Sequence, residues 1–195
     1  KQGLDIGLKV YTPIVENMPS GSAIRPGDVL HMRNGKTIEV MNTDAEGRLI
    51  MADALAFASE SKPDIICDVA TLTGAAYVAL GVEIGAVFSN NKVTLDSFLN
   101  SNNDGFENYH SLPLEQSYKS QIKSNIADMK NSGGRFGGAI TAALLLEEFV
   151  DDLNWIHLDI AGPARSRSSN SIYPEGGTGF GVLGYFNFIT NEAKG

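Results

Sequence analysis

The sequence predicts an α/β fold: three layers, α/β/α, with a mixed, mostly parallel central sheet. Three observations carry that prediction. Asn34-Gly35 lies between the apolar runs Val29–Met32 and Thr37–Met41, the strongest short hairpin signal a sequence can give. Leu49 to Ser61 then repeats apolar residues at helical spacing, with Ile50, Ala54, Phe57 and Ala58 on one period. Asp64–Val69 is a short apolar run of the kind found in buried parallel strands. Strand, helix, strand in that order reads as a βαβ unit.

The remaining elements follow in order. Leu8–Val15 alternates loosely and reads as a strand, with Pro13 near an edge. Glu16 to Asp28 is rich in Pro, Gly and Ser and reads as loop. Lys62-Pro63 stops the first helix. Gly85–Ser89 reads as a strand, Leu95–Leu99 as part of a helix, and Asn100 to Asp104 as a polar surface turn. Tyr109–Pro113 reads as irregular, and Ile122, Ile126 and Met129 mark an amphipathic helix or extended arm. Asn131–Gly138 is a Gly-rich loop before the helical run Ala139–Val150. Such a loop can bind anions, but it has neither a GK[ST] ending nor G-x-G-x-x-G spacing, so close helix packing is the preferred reading. Trp155–Ile160 reads as a strand, Gly162 to Gly181 as a long loop with Arg165, Arg167 and Tyr173 at a rim or subunit contact, and Val182–Ile189 as a helix. No internal repeat or linker divides the chain, so residues 1–195 are expected to form a single domain.

Composition narrows the function classes. The 15 basic and 23 acidic residues give a net charge of −8, which argues against nucleic acid and anionic membrane surfaces as partners. The single cysteine, Cys67, excludes an intrachain disulfide, fits a reducing cytoplasmic compartment, and is expected to be a buried small hydrophobe. No apolar run reaches transmembrane length, and the start of the chain has no signal-peptide apolar region.

The chemistry gathers in the octet Asn42-Thr43-Asp44-Ala45-Glu46-Gly47-Arg48-Leu49, where a strand hands over to a helix. In open α/β sheets ligands bind outside the carboxyl ends of strands. If Asp44 to Arg48 is extended, positions 44, 46 and 48 project to one face, and two carboxylates with a guanidinium suit a divalent metal. Thr43-x-x-Glu46 is equally a capping box, with Arg48 neutralising Asp44 in a surface pair. On chemistry alone the two readings are level. Thr71-Leu72-Thr73-Gly74-Ala75 also follows a strand. It reads either as a backbone and hydroxyl cradle for a polar ligand group or as a Ser/Thr turn capping the next helix. His157 and Asp159 share one strand face and could bind metal, although a core histidine held by polar neighbours is the commoner outcome.

The octet resembles the signature of the leucyl (cytosol) aminopeptidase family, the M17 metallopeptidases. Glu16-Asn17-Met18-Pro19-Ser20-Gly21, Arg25-Pro26-Gly27-Asp28, Asn34-Gly35-Lys36-Thr37, Ala70-Thr71-Leu72-Thr73-Gly74-Ala75 and His157-Leu158-Asp159-Ile160-Ala161-Gly162 resemble the family in its order. The resemblance covers essentially the whole chain. It implies hydrolysis of the amino-terminal, leucine-like residue from peptides with a free N-terminus. It implies two divalent metal ions, zinc in the first place, with manganese, magnesium or cobalt accepted at one site. Asp44 and Glu46 would be metal ligands, Glu46 bridging the pair, and Arg48 the catalytic holder of a bicarbonate ion. Thr71, Leu72, Gly74 and Ala161 would bind substrate. Self-association as a hexamer through catalytic domains is also implied.

One departure is large. The family's further ligands, a Lys and two Asp, and a second catalytic Lys lie upstream of the Asn17-Met18-Pro19 segment. Here only sixteen residues precede Asn17, and Lys1 and Asp5 do not reproduce the motif. Two carboxylates are too few for a tight dinuclear site. The chain therefore resembles the carboxyl-terminal part of the catalytic domain, expected to have little activity alone and to associate with the missing amino-terminal portion or with its own copies. The alternative is a non-enzymatic binding or scaffold module on the peptidase fold.

Overall fold

The Asn34-Gly35 turn joins β1 (Val29–His31) to β2 (Thr37–Glu39) antiparallel, Leu30 facing Ile38, in a computed structural model that describes residues 3–103, 105–169 and 173–194. Lys1, Asp104 at the end of the expected surface turn, and residues 170–172 of the expected long loop lie outside the described residues.

A 3-10 turn, Thr43–Ala45, leads into α1 (Glu46–Ser59). Then come β3 (Ile65–Ala70), α2 (Gly74–Leu80), β4 (Ile84–Ser89), α3 (Lys92–Ser101) and β5 (Asn108–Ser111). After a 3-10 segment, Gln116–Ile122, follow β6 (Met129–Lys130), α4 (Gly138–Glu147) and β7 (Asn154–Asp159). The chain continues through β8 (Arg165–Ser166), β9 (Gly176–Gly177) and α5 (Val182–Glu192).

The fold is α/β with mixed sheets. One sheet has the order β3-β7-β4-β5, with β4 parallel to β5 and antiparallel to β7. A second has the order β1-β2-β6, with β2 parallel to β6. β8 and β9 form a small antiparallel pair.

The chain divides into two compact units, and the division passes through β3 and β7. One unit comprises Tyr11–Cys67 and Pro113–Trp155. Its core is built on α4, whose Ala142 to Leu146 are all fully buried, together with Ile38, Val40, Ala52, Leu55, Phe149 and Trp155. A helix apolar on every side is one enclosed by its neighbours, here α1 and the Gln116–Ile122 segment. The Gly-rich loop serves this packing, as expected. Gly137 caps α4 at φ +66, and a Cβ there would stand 2.7 Å from the Tyr118 ring. At the end of α4, Glu148 accepts from Lys36 and Lys119, and these cations hold its carboxyl below the ordinary range although burial works against the charge.

The other unit comprises Lys1–Val10, Asp68–Leu112 and Ile156–Gly195. Phe98 stands at its centre, edge-on to Tyr109, Tyr185 and Phe188. The buried carboxylate of Glu107 accepts from the Gly181 and Gly184 N–H groups and from the Tyr109 hydroxyl. It thereby satisfies the start of α5, whose cap residue is a glycine with no side chain to do so.

Several expectations are corrected. Leu8–Val15 forms no strand; alternation without a pairing partner does not make one. Strand, helix, strand is present, but β2 and β3 belong to different sheets, so the segment is not a βαβ unit. Tyr109 to Ser111 is not irregular but lies in β5, paired parallel to β4. Of the two readings for Ile122 to Met129, the helix is excluded: Ile122 ends a 3-10 segment, Met129 begins β6, and residues 123–128 between them are irregular. Cys67 is exposed, because β3 alternates rather than being buried on both faces.

Candidate active site

The octet is not extended. Asn42 accepts the Asp44 N–H at 3.0 Å and caps the 3-10 turn, and α1 begins two residues later at Glu46. Positions 44, 46 and 48 therefore step around a turn and a first helical turn instead of sharing a strand face. The capping box fails too. The residue preceding α1 is Ala45, which offers no capping side chain, and Glu46 turns its carboxylate elsewhere. Its Oε2 accepts from Asn17 Nδ2 at 2.9 Å, and the same amide donates to the Thr43 carbonyl at 3.1 Å. The Asn17-Met18-Pro19 segment is thus pinned to both ends of the octet's turn.

That segment and the start of α1 border a cleft of about 430 Å³. Glu16, Asn17 and Met18 line it with Glu46, Leu49 and Ile50. Glu46 is half-buried there, and Asp44 is exposed. Arg48 Nη1 donates to the Asn131 carbonyl at 2.8 Å.

The fully buried Asn131 braces this turn. Its Oδ1 accepts from the Met41 and Asn42 N–H groups, and its Nδ2 donates to the Asn42 and Ala45 carbonyls. The sequence alone points to a role for neither Asn17 nor Asn131. Asn17 lies in a matched motif, but Asn131 only heads a Gly-rich loop, and no spacing rule points to it.

The Thr71–Ala75 segment belongs to the other unit. The capping reading is correct here: Thr73 is the N-cap of α2, and its hydroxyl accepts the Ala76 N–H at 3.0 Å. A Cβ at Gly74 would meet no atom within 4 Å, so packing inside this chain does not require the glycine. Asp159, fully buried, collects the Leu72 and Thr73 N–H groups, the Thr73 hydroxyl and the Ala161 N–H on one carboxylate. Thr71, Leu72, Gly74 and Ala161 thus lie on two short segments tied together by one acid. Beside Ala161, a Cβ on Gly162 would fall 2.0 Å from the Gly81 carbonyl, so only glycine lets these backbones approach.

His157 and Asp159 form no metal pair. His157 Nδ1 lies 2.5 Å from Asp68, its ring stacks on Phe88, and it is fully buried, as a core histidine. Burial alone would lower its pKa; the adjacent Asp68 carboxylate, with Asp159 behind it, outweighs that and raises it.

Asp44 and Glu46 offer hard oxygen donors of the type that magnesium, manganese and zinc accept. Asn17 occupies one Glu46 oxygen, and a carboxylate has lone pairs beyond that bond. In kind the donors fit a divalent cation. In number they fall short: no group of three or more His, Cys, Asp or Glu side chains gathers around a metal position among the described residues. None of the described helices is long and apolar enough to cross a membrane.

Comparison with known proteins shows the family. The catalytic-domain profile of the cytosol aminopeptidase family matches residues 1–184. A "Probable cytosol aminopeptidase" of Prochlorococcus marinus subsp. pastoris is 49% identical over 189 residues, 95% of this chain. One of Syntrophotalea carbinolica is 51% identical over 97% of this chain. The chain spans 38% of the length of each. Among solved structures, a mutant of tomato leucine aminopeptidase superposes with a TM-score of 0.84 at 44% identity, covering 89% of this chain and 34% of that one. The bottromycin maturation enzyme BotP in complex with Mn gives 0.88 at 39% identity, covering 92% of this chain and 41% of that one. The chain belongs to the cytosol aminopeptidase family and lies within its catalytic domain.

Proposed function

We propose that this chain is the carboxyl-terminal part of a metal-dependent aminopeptidase that hydrolyses the first, leucine-like residue from peptides. The observation that carries the reading is the turn at 42–48. It presents an exposed Asp44 and a cleft-facing Glu46 at the start of α1, with Asn17 holding one Glu46 oxygen. Relatives and superposable structures named as aminopeptidases support it.

Asp44 would hold one divalent ion and Glu46 would be shared between two. Zinc is the first candidate, and manganese, magnesium or cobalt would serve at one position. Two carboxylates would be too few to hold a pair of ions, so further ligands would be needed and the isolated chain is expected to hydrolyse little. Bound metals would supply an activated water and polarise the scissile carbonyl. The chain's own residues do the rest. Asp44 and Glu46 set the metal positions. Arg48 cannot serve as a base near neutral pH, because a guanidinium stays protonated; its planar fork suits a bicarbonate ion that would accept the water's proton. Thr71, Leu72, Gly74 and Ala161 would hold the peptide's first residue. A cytoplasmic, hexameric assembly follows from the same resemblance.

The test compares two peptides that differ only at the amino terminus. The complete protein carrying this chain, supplied with Mn²⁺ or Zn²⁺, is expected to release leucine from the free peptide and not from its N-acetylated form. Equal cleavage of both would overturn the aminopeptidase reading.

A further inference from the structure

We propose that Asn131 is the positioning residue of the metal-ligand turn, acting through Asp44 and Glu46 without itself touching metal or substrate. The proposal rests on the reading of those two carboxylates as ligands.

Asn131 has no exposed surface. Its Oδ1 receives the Met41 N–H at 2.8 Å and the Asn42 N–H at 3.2 Å. Its Nδ2 gives to the Asn42 carbonyl at 2.7 Å and the Ala45 carbonyl at 3.4 Å. Residues 41 and 42 lie outside any strand or helix, so a side chain performs here what a ladder performs elsewhere. The bonds fall on both sides of Asp44 and on the residue before Glu46.

The Asn131 backbone extends the bracing. Its N–H donates to the Glu39 carbonyl at 3.0 Å, at the end of β2, and its carbonyl receives Arg48 at 2.8 Å. One residue therefore ties the incoming strand, the turn and the guanidinium of α1.

A carboxamide suits this position because it has an acceptor and two donors in one plane. Aspartate would face two carbonyl oxygens with acceptors only, and leucine would leave every partner unmet. The α-helix receives no side-chain cap from Ala45; Asn42 caps the 3-10 turn and Asn17 holds its outer side, and Asn131 is the buried side chain that binds its backbone from within. Two acidic groups two residues apart repel until a cation joins them, and an unbraced turn would splay. Ligands already in place spare the metal the cost of ordering them.

A buried asparagine could also serve the fold alone, and the experiment separates the two roles. Mn²⁺ binding to the complete protein is measured by titration calorimetry for wild type, Asn131→Ala, Asn131→Asp and Ser59→Ala. Ser59 is buried in the same unit, and its hydroxyl bonds the Leu55 and Phe149 carbonyls, so its loss should cost stability without reaching the turn. Both Asn131 variants are expected to bind Mn²⁺ roughly 10–100-fold more weakly, the usual effect of removing a group that orients a ligand, while Ser59→Ala binds as wild type. Unchanged affinity in the Asn131 variants, or an equal fall in Ser59→Ala, overturns the proposal. Wild type that binds no Mn²⁺ refutes the metal reading itself, and the proposal with it. Should the variants not fold, amide exchange in wild type decides. The Met41 and Asn42 N–H groups should be protected to the level of α1, and free exchange at both overturns the proposal.

Discussion

The Asp159 carboxylate accepts the Thr73 hydroxyl at 2.6 Å and, through its other oxygen, the backbone N–H groups of Leu72, Thr73 and Ala161. A carboxylate can serve so many donors because it offers about four lone-pair sites and donates nothing. Asparagine has the same shape, yet half of its end is a donor. Asp159→Asn is therefore expected to keep the three N–H bonds on its one oxygen but to set a donor against the Thr73 hydroxyl, leaving that hydroxyl's proton unmet, at about 1–3 kcal/mol of folding stability. Because the loosened segments are the proposed substrate binders, KM for a leucine peptide should rise more than kcat falls. Denaturant unfolding with steady-state kinetics checks both; a variant as stable as wild type with unaltered KM would show the network to be ornamental.

His157 gives a pH dependence whose sign is fixed. Burial opposes its charge, the Asp68 carboxylate more than offsets that, and the folded pKa stands above the ordinary 6.5. A group raised in the folded state contributes its full stability below the unfolded value and loses it as pH rises through the folded one. The unit is thus expected to weaken progressively above about pH 6.5. In Asp68→Asn the pH slope should flatten, because the carboxylate that favours the charged ring is gone. NMR titration of the His157 ring protons checks the direction: a midpoint below 6.5 in wild type would contradict it.

Gly137 should tolerate no side chain. Its φ of +66 strains any L-residue, and a Cβ would press on the Tyr118 ring at 2.7 Å. Gly137→Ala is expected to cost about 1–3 kcal/mol, exceeding the ordinary backbone effect of a misplaced alanine. Thermal unfolding measures it, and Tyr118→Ala in the same chain should recover part of the loss. Full stability in Gly137→Ala would show that the loop adjusts freely.

Signals that are local in sequence proved legible. Asn34-Gly35 gave the hairpin, Thr73 the cap of α2, and the apolar run after Gly137 gave α4, because each follows from a few adjacent residues. The octet and its companion segments were enough to indicate the family, and the profile match agrees. What failed depended on distant partners. β5 needs β4 beside it, and its residues Asn108-Tyr109-His110-Ser111 carry no β-rich run of their own. β2 and β3 read as one βαβ unit only until pairing assigns them to separate sheets. The candidate site shows the same division. Asp44 and Glu46 are singled out by the octet's resemblance to the family signature, since their charge alone leaves a capping reading level with a metal one. Asn131, more than eighty residues away from Asn42, is found only when the chain is folded.

If Asp44 and Glu46 hold catalytic metal, as proposed, hydrolysis of leucine p-nitroanilide by the complete protein in saturating Mn²⁺ depends on both carboxylates. Asp44→Asn and Glu46→Gln change charge with almost no change in size, so circular dichroism should match wild type. Activity in both variants is expected to fall to the uncatalysed background. Wild-type turnover by either folded variant would contradict the claim and remove the turn at 42–48 from the active site.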